Sequence, residues 1–402
     1  MPPVRVIDTI YANVPATAAA PRDPIKLTAM EAQWLLFPVL QHVLLYEGAD
    51  LPTFDAIVQS LRVKFVVAES DADIGRLAGD EEHDLRLLEL LVPEVDMSVL
   101  PTAVLAVQAT RFQGGVAVGL TVHHGVADAR SLWTFVEAWA TACRGESETP
   151  AVAPTFDRSL INLPGVHVTR QLVPNLPVTT PPSSIVEDRT RFTRRTFTLD
   201  ARDIQRLKQR IVGLGEAHGA PLSRPLSTFV ALVALAWTCF VRCKRFALDD
   251  EVFLFFFADV RDRLSPPVQP GYIGACLTGC LARLRARDLH GERALASAAL
   301  AVQDELCKMR DDPVAGWNFM TPTISTKLHR LMNVSGSPSF KAYDIADFGW
   351  GKPSRTEPIR MNHDGQVALM GAKDGHGVQL SASLLQSAQM DEFKTYFGML
   401  LG

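Results

Sequence analysis

The sequence predicts an α/β protein of two domains built on mixed sheets. Its 402 residues exceed one ordinary hydrophobic core. Runs with strand and helix periodicity alternate along the chain, and hairpins interrupt that alternation, so the regular strand–helix–strand succession of an all-parallel sheet is missing. With 47% hydrophobic and 21% charged residues the chain can bury substantial cores, which excludes disorder for its bulk. The 40 Lys and Arg against 44 Asp and Glu, a net charge of -4 and the lack of any basic tract argue against nucleic acid or a membrane surface as partner.

Met1 to Pro15 has no uninterrupted apolar stretch, so no secretory signal is expected. Met30 to Tyr46 reads as a helix from its apolar spacing, and Leu61 to Val67 as a strand. Val104 to Phe112 and Val116 to His123 are β-rich runs about Gln113, Gly114 and Gly115, a hairpin signature. Asp128 then precedes Ala129 to Cys143, where Leu132, Val136, Trp139 and Ala140 recur at helical spacing.

From Glu146 to Ser184, prolines at 150, 154, 164, 174, 177, 181 and 182 block regular structure, which suggests an interdomain connection. The expected division is 1–145, a crossover over 146–189, and 190–402. A strand from Phe192 to Leu199, a helix opened by Asp200, a buried helix around Trp237 and a strand from Val252 to Ala258 follow. The apolar run Phe229 to Val241 is shorter than the roughly 20 residues a membrane span needs. Val367 to Met370 and Val378 to Leu384 form a last strand pair about the turn Lys373 to Gly377.

Six cysteines are sparse for this length, which points to a reducing, cytoplasmic setting. Cys239–Cys243 and Cys276–Cys280 have no flanking His at zinc-ligand spacing, so no metal site is expected. The absence of a Gly-rich phosphate loop weighs against nucleotide hydrolysis and hydride transfer.

The most suggestive constellation is His123, His124, Gly125, Val126, Ala127 and Asp128 at the end of an expected buried strand. A His there can project into a cleft as a general base, because its ordinary pKa lies near physiological pH. The bare pattern is equally compatible with Asp128 as a plain helix cap and His124 as a satisfied strand-end histidine. A second feature, Asp347-Phe348-Gly349-Trp350-Gly351-Lys352, also follows an expected strand and reads by itself as a tight turn.

These two motifs, in this order and separation, resemble the plant BAHD acyltransferases, which use acyl-CoA thioesters. Ile25 to Tyr46 is similar to the family's N-terminal helix, Thr155 to Ile161 to its Phe-Asp-Arg-Ser segment, and Ser227 to Thr238 to its central second-domain helix. Tyr272-Ile273-Gly274-Ala275-Cys276 resembles the Tyr-Phe-Gly-Asn-Cys motif of the flavonoid and anthocyanin malonyltransferase branch. The resemblance implies two chloramphenicol-acetyltransferase-like domains flanking a channel. His124 would be the base, Trp350 would offer an indole N–H to the developing oxyanion, and Asp128 would pair with Arg261. Asp347, Phe348, Gly349 and Gly351 would be structural and Lys352 a solvated charge. The co-substrate would be an acyl-CoA, malonyl-CoA first, with no tightly bound cofactor; the acceptor would be the sugar hydroxyl of a phenolic or flavonoid glucoside, and the enzyme a monomer.

The sequence departs from the pattern at Ala129, where the wider family has Gly, and at Ala275, where the branch motif has Asn. Gln59 to Leu61 run straight into Arg62 and Val63 where the family carries further residues. That gap would remove first-domain core material, through an altered transcript or in a divergent member with an incomplete first sheet. A malonyl carboxylate calls for a cation, for which Arg130 and Arg158 are candidates; Arg224 and Lys244 are candidates for CoA. The resemblance leaves open a hydroxycinnamoyl-CoA donor and a catalytically impaired member. A condensation-type domain of a peptide synthetase shares the histidines and the aspartate but not the second motif.

Overall fold

The computed structural model describes residues 4–10, 25–37, 39–61, 65–80, 83–96, 103–145, 154–159, 161, 163, 191–318, 328–361 and 363–402. Most of the Pro-rich crossover lies outside them. Among the described residues, strands β1 (Arg5–Ile10), β2 (Leu40–Glu47), β3 (Phe65–Glu69), β4 (Leu105–Phe112), β5 (Gly115–Val122) and β10 (Arg355–Pro358) make the first sheet, in the order β1-β3-β4-β5-β2-β10. The second sheet runs β6 (Thr193–Leu199), β12 (Val378–Leu384), β11 (Gln366–Gly371), β9 (Leu331–Gly336), β7 (Glu251–Asp259) and β8 (Leu277–Arg285). Both sheets are mixed: β3–β4, β7–β9 and β9–β11 are parallel and the remaining pairs antiparallel.

The helices, in chain order, are α1 (Ala29–Ala32), α2 (Phe54–Leu61), α3 (Ile74–Leu77), α4 (Leu85–Glu89), α5 (Ala129–Cys143), α6 (Ala201–Ala217), α7 (Thr228–Lys244), α8 (Ala294–Asp311), α9 (Ala342–Ile345) and α10 (Ser387–Leu401). Helix α5 lays Leu132, Trp133, Val136, Trp139 and Ala140 against one face of the first sheet, over Leu44, Tyr46, Val118 and Leu120. The other face packs Val43, Leu45 and Ala117 against Leu85, Leu88 and Leu91. That approach is close enough that a Cβ on Gly119 would sit 1.9 Å from the Leu91 carbonyl oxygen, so only glycine fits. Helix α7 is apolar on all sides because it is the centre of the second sheet's core. No helix of the described residues is long and apolar enough to cross a membrane.

Two expectations are corrected. Met30 to Tyr46 is not one helix: α1 and a 3-10 turn over Gln33–Leu36 give way to β2. With both faces of the sheet covered, Val43 to Tyr46 of β2 form an unbroken buried apolar run, which periodicity does not distinguish from a buried helix. Asp347 follows the short helix α9, not a strand. Strand β10, late in the chain, completes the first sheet by pairing with β2 through Arg355–Leu45 to Pro358–His42.

The junction around Leu61 is packed. Leu61 is fully buried, its carbonyl accepts from Trp139 Nε1 at 2.7 Å, and the Ser60 carbonyl accepts from the Cys143 thiol at 3.1 Å.

Candidate active site

Strand β5 ends at Val122, and the next residues turn sharply. His123 donates its amide to the Val104 carbonyl at 2.9 Å and accepts from Val126 N–H at 3.0 Å, while its Nδ1 accepts from Gly125 N–H at 3.0 Å. Asp128 closes the turn as the N-cap of α5, its Oδ1 accepting from Ser131 N–H at 3.0 Å. Between these fixed points stands His124, partly buried, with the Trp34 ring stacked on it at 3.7 Å between centroids and 5° between planes. Burial pulls the imidazole down to about pKa 4, against the opposing pull of Asp128. The ring is therefore neutral at physiological pH, as a proton acceptor must be.

Both carboxylate oxygens of Asp128 are engaged by protein groups. Arg261, in the turn after β7, grips it with two parallel bonds, Nη1 to Oδ2 at 2.8 Å and Nη2 to Oδ1 at 3.0 Å. Cys276 N–H adds a third bond to Oδ2 at 3.1 Å. Arg261 Nη2 also donates to Ser131 Oγ at 3.0 Å and to the Gly274 carbonyl at 2.7 Å. Burial alone would raise the Asp128 pKa, but the Arg261 charge and these bonds hold it below the usual carboxylate range. The pairing expected from the family pattern is present, and it joins the turn after a first-sheet strand to the turn after a second-sheet strand.

A second pair, with no linear signature, extends this cluster. Glu31 is fully buried; its Oε1 accepts from Arg158 Nη2 at 2.8 Å and from Tyr272 O–H at 3.0 Å, and its Oε2 accepts from Thr28 N–H at 2.8 Å. The Tyr272 ring lies between two guanidinium groups, Arg158 at 5.1 Å and Arg261 at 5.5 Å. Thr28 and Glu31 form a capping box, the one part of this arrangement that a sequence reader could have found from Thr-x-x-Glu.

The Asp347 to Gly351 motif is elsewhere. Asp347 Oδ1 accepts from Gly349 N–H at 2.8 Å and Gly351 N–H at 3.0 Å, and those glycines take φ of +99° and +92°. Phe348 is buried against Trp139 and Tyr46. Trp350 donates its indole N–H to the Phe348 carbonyl at 2.6 Å and packs on Tyr46 at 5.2 Å. Tyr46 pairs with Val116, at the start of β5, whereas His124 lies beyond its end. At ~3.3 Å per residue Trp350 is roughly 20 Å from the histidine along the strand. The motif buttresses the far end of the first sheet, and the indole N–H that the oxyanion role would use is donated to the Phe348 carbonyl. Lys352 is half exposed and pairs with Asp344 at 2.6 Å.

The cation candidates are dispersed. Arg130 Nη1 lies 2.9 Å from Asp259 Oδ2 and 3.5 Å from Asp262 Oδ2, so it is tied to the second domain. Arg158 is closed on Glu31. Lys244, at the last turn of α7, holds Asp364 Oδ2 and Gln389 Oε1, each at 2.6 Å. Arg224 is exposed. None of the four is brought to His124 by any contact among the described residues.

A model described as the Transferase family matches residues 62–400. The chain is 30% identical to phenolic glucoside malonyltransferase 2 of Arabidopsis thaliana over 83% of its length and 76% of that protein's. To agmatine coumaroyltransferase of the same plant it is 29% identical, over 85% and 78%. In three dimensions it superposes on vinorine synthase with a TM-score of 0.75 at 19% identity, covering 99% of this chain and 98% of the other.

Proposed function

We propose a reaction from one premise: this chain belongs to the Transferase family, the BAHD acyltransferases, and is an acyl-CoA-dependent O-acyltransferase. The proposed reaction moves a malonyl group from malonyl-CoA to a sugar hydroxyl of a phenolic or flavonoid glucoside, in the cytosol and by a monomer. His124 takes the hydroxyl proton, the alkoxide oxygen attacks the thioester carbonyl, and the tetrahedral adduct collapses to the ester. The departing CoA sulfur recovers the proton from the imidazolium. Both substrates are held together in a ternary complex, so the step is effectively unimolecular and no acyl-enzyme forms.

The observation that carries the reading is a neutral His124 set on a turn that a buried ion pair clamps between the two sheets. The names of the relatives support the malonyl donor and the glucoside acceptor. A second reading changes the donor to a hydroxycinnamoyl-CoA. It is favoured by the coumaroyltransferase relative and by the closed ion pairs of Arg130 and Arg158, which a malonyl carboxylate would have to open.

Both readings are tested by CoA release and product mass with malonyl-CoA and coumaroyl-CoA competing for a set of phenolic glucosides. His124→Ala is expected to lower kcat by about 10²–10⁴ with little change in melting temperature. Turnover by the variant within about twofold of the parent would remove His124 from the mechanism. We also read the Leu61–Val63 junction as the point where family residues are missing, a reading supported by a family match that begins at residue 62. Sequencing of the full transcript across that junction tests it.

A further inference from the structure

An imidazole that acts as a base needs its plane held, and the usual device is an acceptor bonded to the ring's second N–H. Among the described residues Nδ1 of His124 is buried and has no hydrogen-bond partner. The carboxylate four positions on, Asp128, is already engaged by Arg261, Ser131 and Cys276. What touches the ring is the indole of Trp34, stacked 3.7 Å away and parallel to within 5°. Trp34 is only 4% exposed and is itself fixed by Phe37 at 5.5 Å and by Phe257, near the end of β7, at 4.8 Å. The stack therefore runs from the second sheet, through a residue of the N-terminal segment, to the histidine of the first.

We propose that Trp34 is the positioning residue of the site: it fixes the plane of His124 and keeps water from the ring while the acceptor hydroxyl loses its proton. The proposal rests on the reading of His124 as the base. A flat ring packed on a flat ring removes rotation about the Cβ–Cγ bond and covers one face, so substrate meets the ring at its edge. The direction of the base matters to the chemical step and not to substrate affinity. It should act on kcat rather than KM. The titratable groups facing His124 are His123 and the paired Asp128. Phe37 and Phe257, which pack on Trp34, carry no charge, and Glu31, on the helix before Trp34, is bound to Arg158 and Tyr272.

The test compares Trp34→Leu and Trp34→Phe with the parent enzyme. Trp34→Leu is expected to lower kcat by about tenfold or more with both KM values within about threefold. It should also admit water to the ring and move the acid limb of kcat/KM from about 4 toward the ordinary histidine value of 6.5. Trp34→Phe keeps a stacked ring and should retain the acid limb and most of kcat. The His124 ring proton resonances should be shifted upfield by ring current in the parent and in Trp34→Phe, and return to ordinary positions in Trp34→Leu. A folded Trp34→Leu enzyme with unmoved acid limb and kcat within about twofold would overturn the proposal. If that variant does not fold, an unshifted His124 resonance in the parent overturns it. Failure of the base reading is separate: His124→Ala would then stay active while the ring-current shift remains in the parent.

Discussion

Two buried ionic clusters tie the sheets to each other, and they stand at different distances from the chemistry. One is Asp128 with Arg261, beside His124. The other centres on Glu357 of β10, fully buried, whose Oε1 accepts from Arg355 Nε at 2.8 Å and Thr196 Oγ1 at 3.0 Å, and whose Oε2 accepts from Ser381 Oγ at 3.0 Å. His83 Nε2 lies 3.4 Å from Oε1, and Arg194 reaches the Ile359 carbonyl at 2.6 Å. Glu357 belongs to the first sheet and Thr196 and Ser381 to the second, so the joint has the same logic as the first. A charge taken from water is tolerated because both sheets supply its partners. A buried ion pair alone therefore says nothing about catalysis. Of the two, the first cluster holds the turn that carries His124.

Removing one side of either pair strands a buried charge, and these are the largest effects expected. Asp128→Ala should cost about 3–5 kcal/mol in urea denaturation and also lower kcat of the folded fraction, because the turn carrying His124 loses its clamp. Glu357→Ala should cost a similar amount, about 3–5 kcal/mol, yet leave kcat per folded molecule within about twofold. Equal losses of kcat in the two variants would break the distinction.

Acid should expose a further difference between the clusters. Both carboxylates are held below their ordinary range, so their contribution is present near neutrality and fades as pH falls below about 4. The second cluster also contains His83, kept neutral by burial despite Glu357, with His42 pulled down to about 4 nearby for the same reason. The unfolded chain takes up protons that these folded rings refuse, so stability should decline as pH drops below 6.5. The slope is up to about 1.4 kcal/mol per pH unit for each ring. His83→Gln should make the fall in melting temperature between pH 7.5 and 5.5 shallower.

The smallest effect is expected at Trp350. Trp350→Phe removes one hydrogen bond to the Phe348 carbonyl, about 0.5–1.5 kcal/mol, and should leave kcat unchanged. An oxyanion donor would instead cost about 10²–10³ in rate, so a fall of that size would restore the catalytic role that its location denies it.

What the chain discloses before folding follows the same divide. The β4–β5 hairpin, the Asp128 cap of α5 and the β11–β12 pair were legible, because each rests on neighbours a few residues apart. The Asp128–Arg261 bond was legible only through the family resemblance, since 133 residues separate the partners. Glu31–Arg158 and the Glu357 cluster left no trace: their members come from elements scattered along the chain, and none falls in a repeated spacing. Strand β2 was misread because pairing with β5 and β10, not local periodicity, decides its form. Nothing in the sequence singles out Trp34 within its apolar segment; only the fold reveals that its indole packs on Phe257 and meets the imidazole of His124.

The place of β10 also bears on how the protein is made. Tyr46 O–H bonds the Ala346 carbonyl across 300 residues, and β2, the strand that carries Tyr46, waits for Arg355 to Pro358 as its outer partner. At ~5–20 residues per second a ribosome needs roughly 15–60 s to deliver that stretch. For that interval β2 has an open edge on the nascent chain, a template for wrong pairing that a shorter-range topology would not present. Synthesis order thus makes the late segment protective, since it caps an edge that the first half of the chain cannot cover for itself.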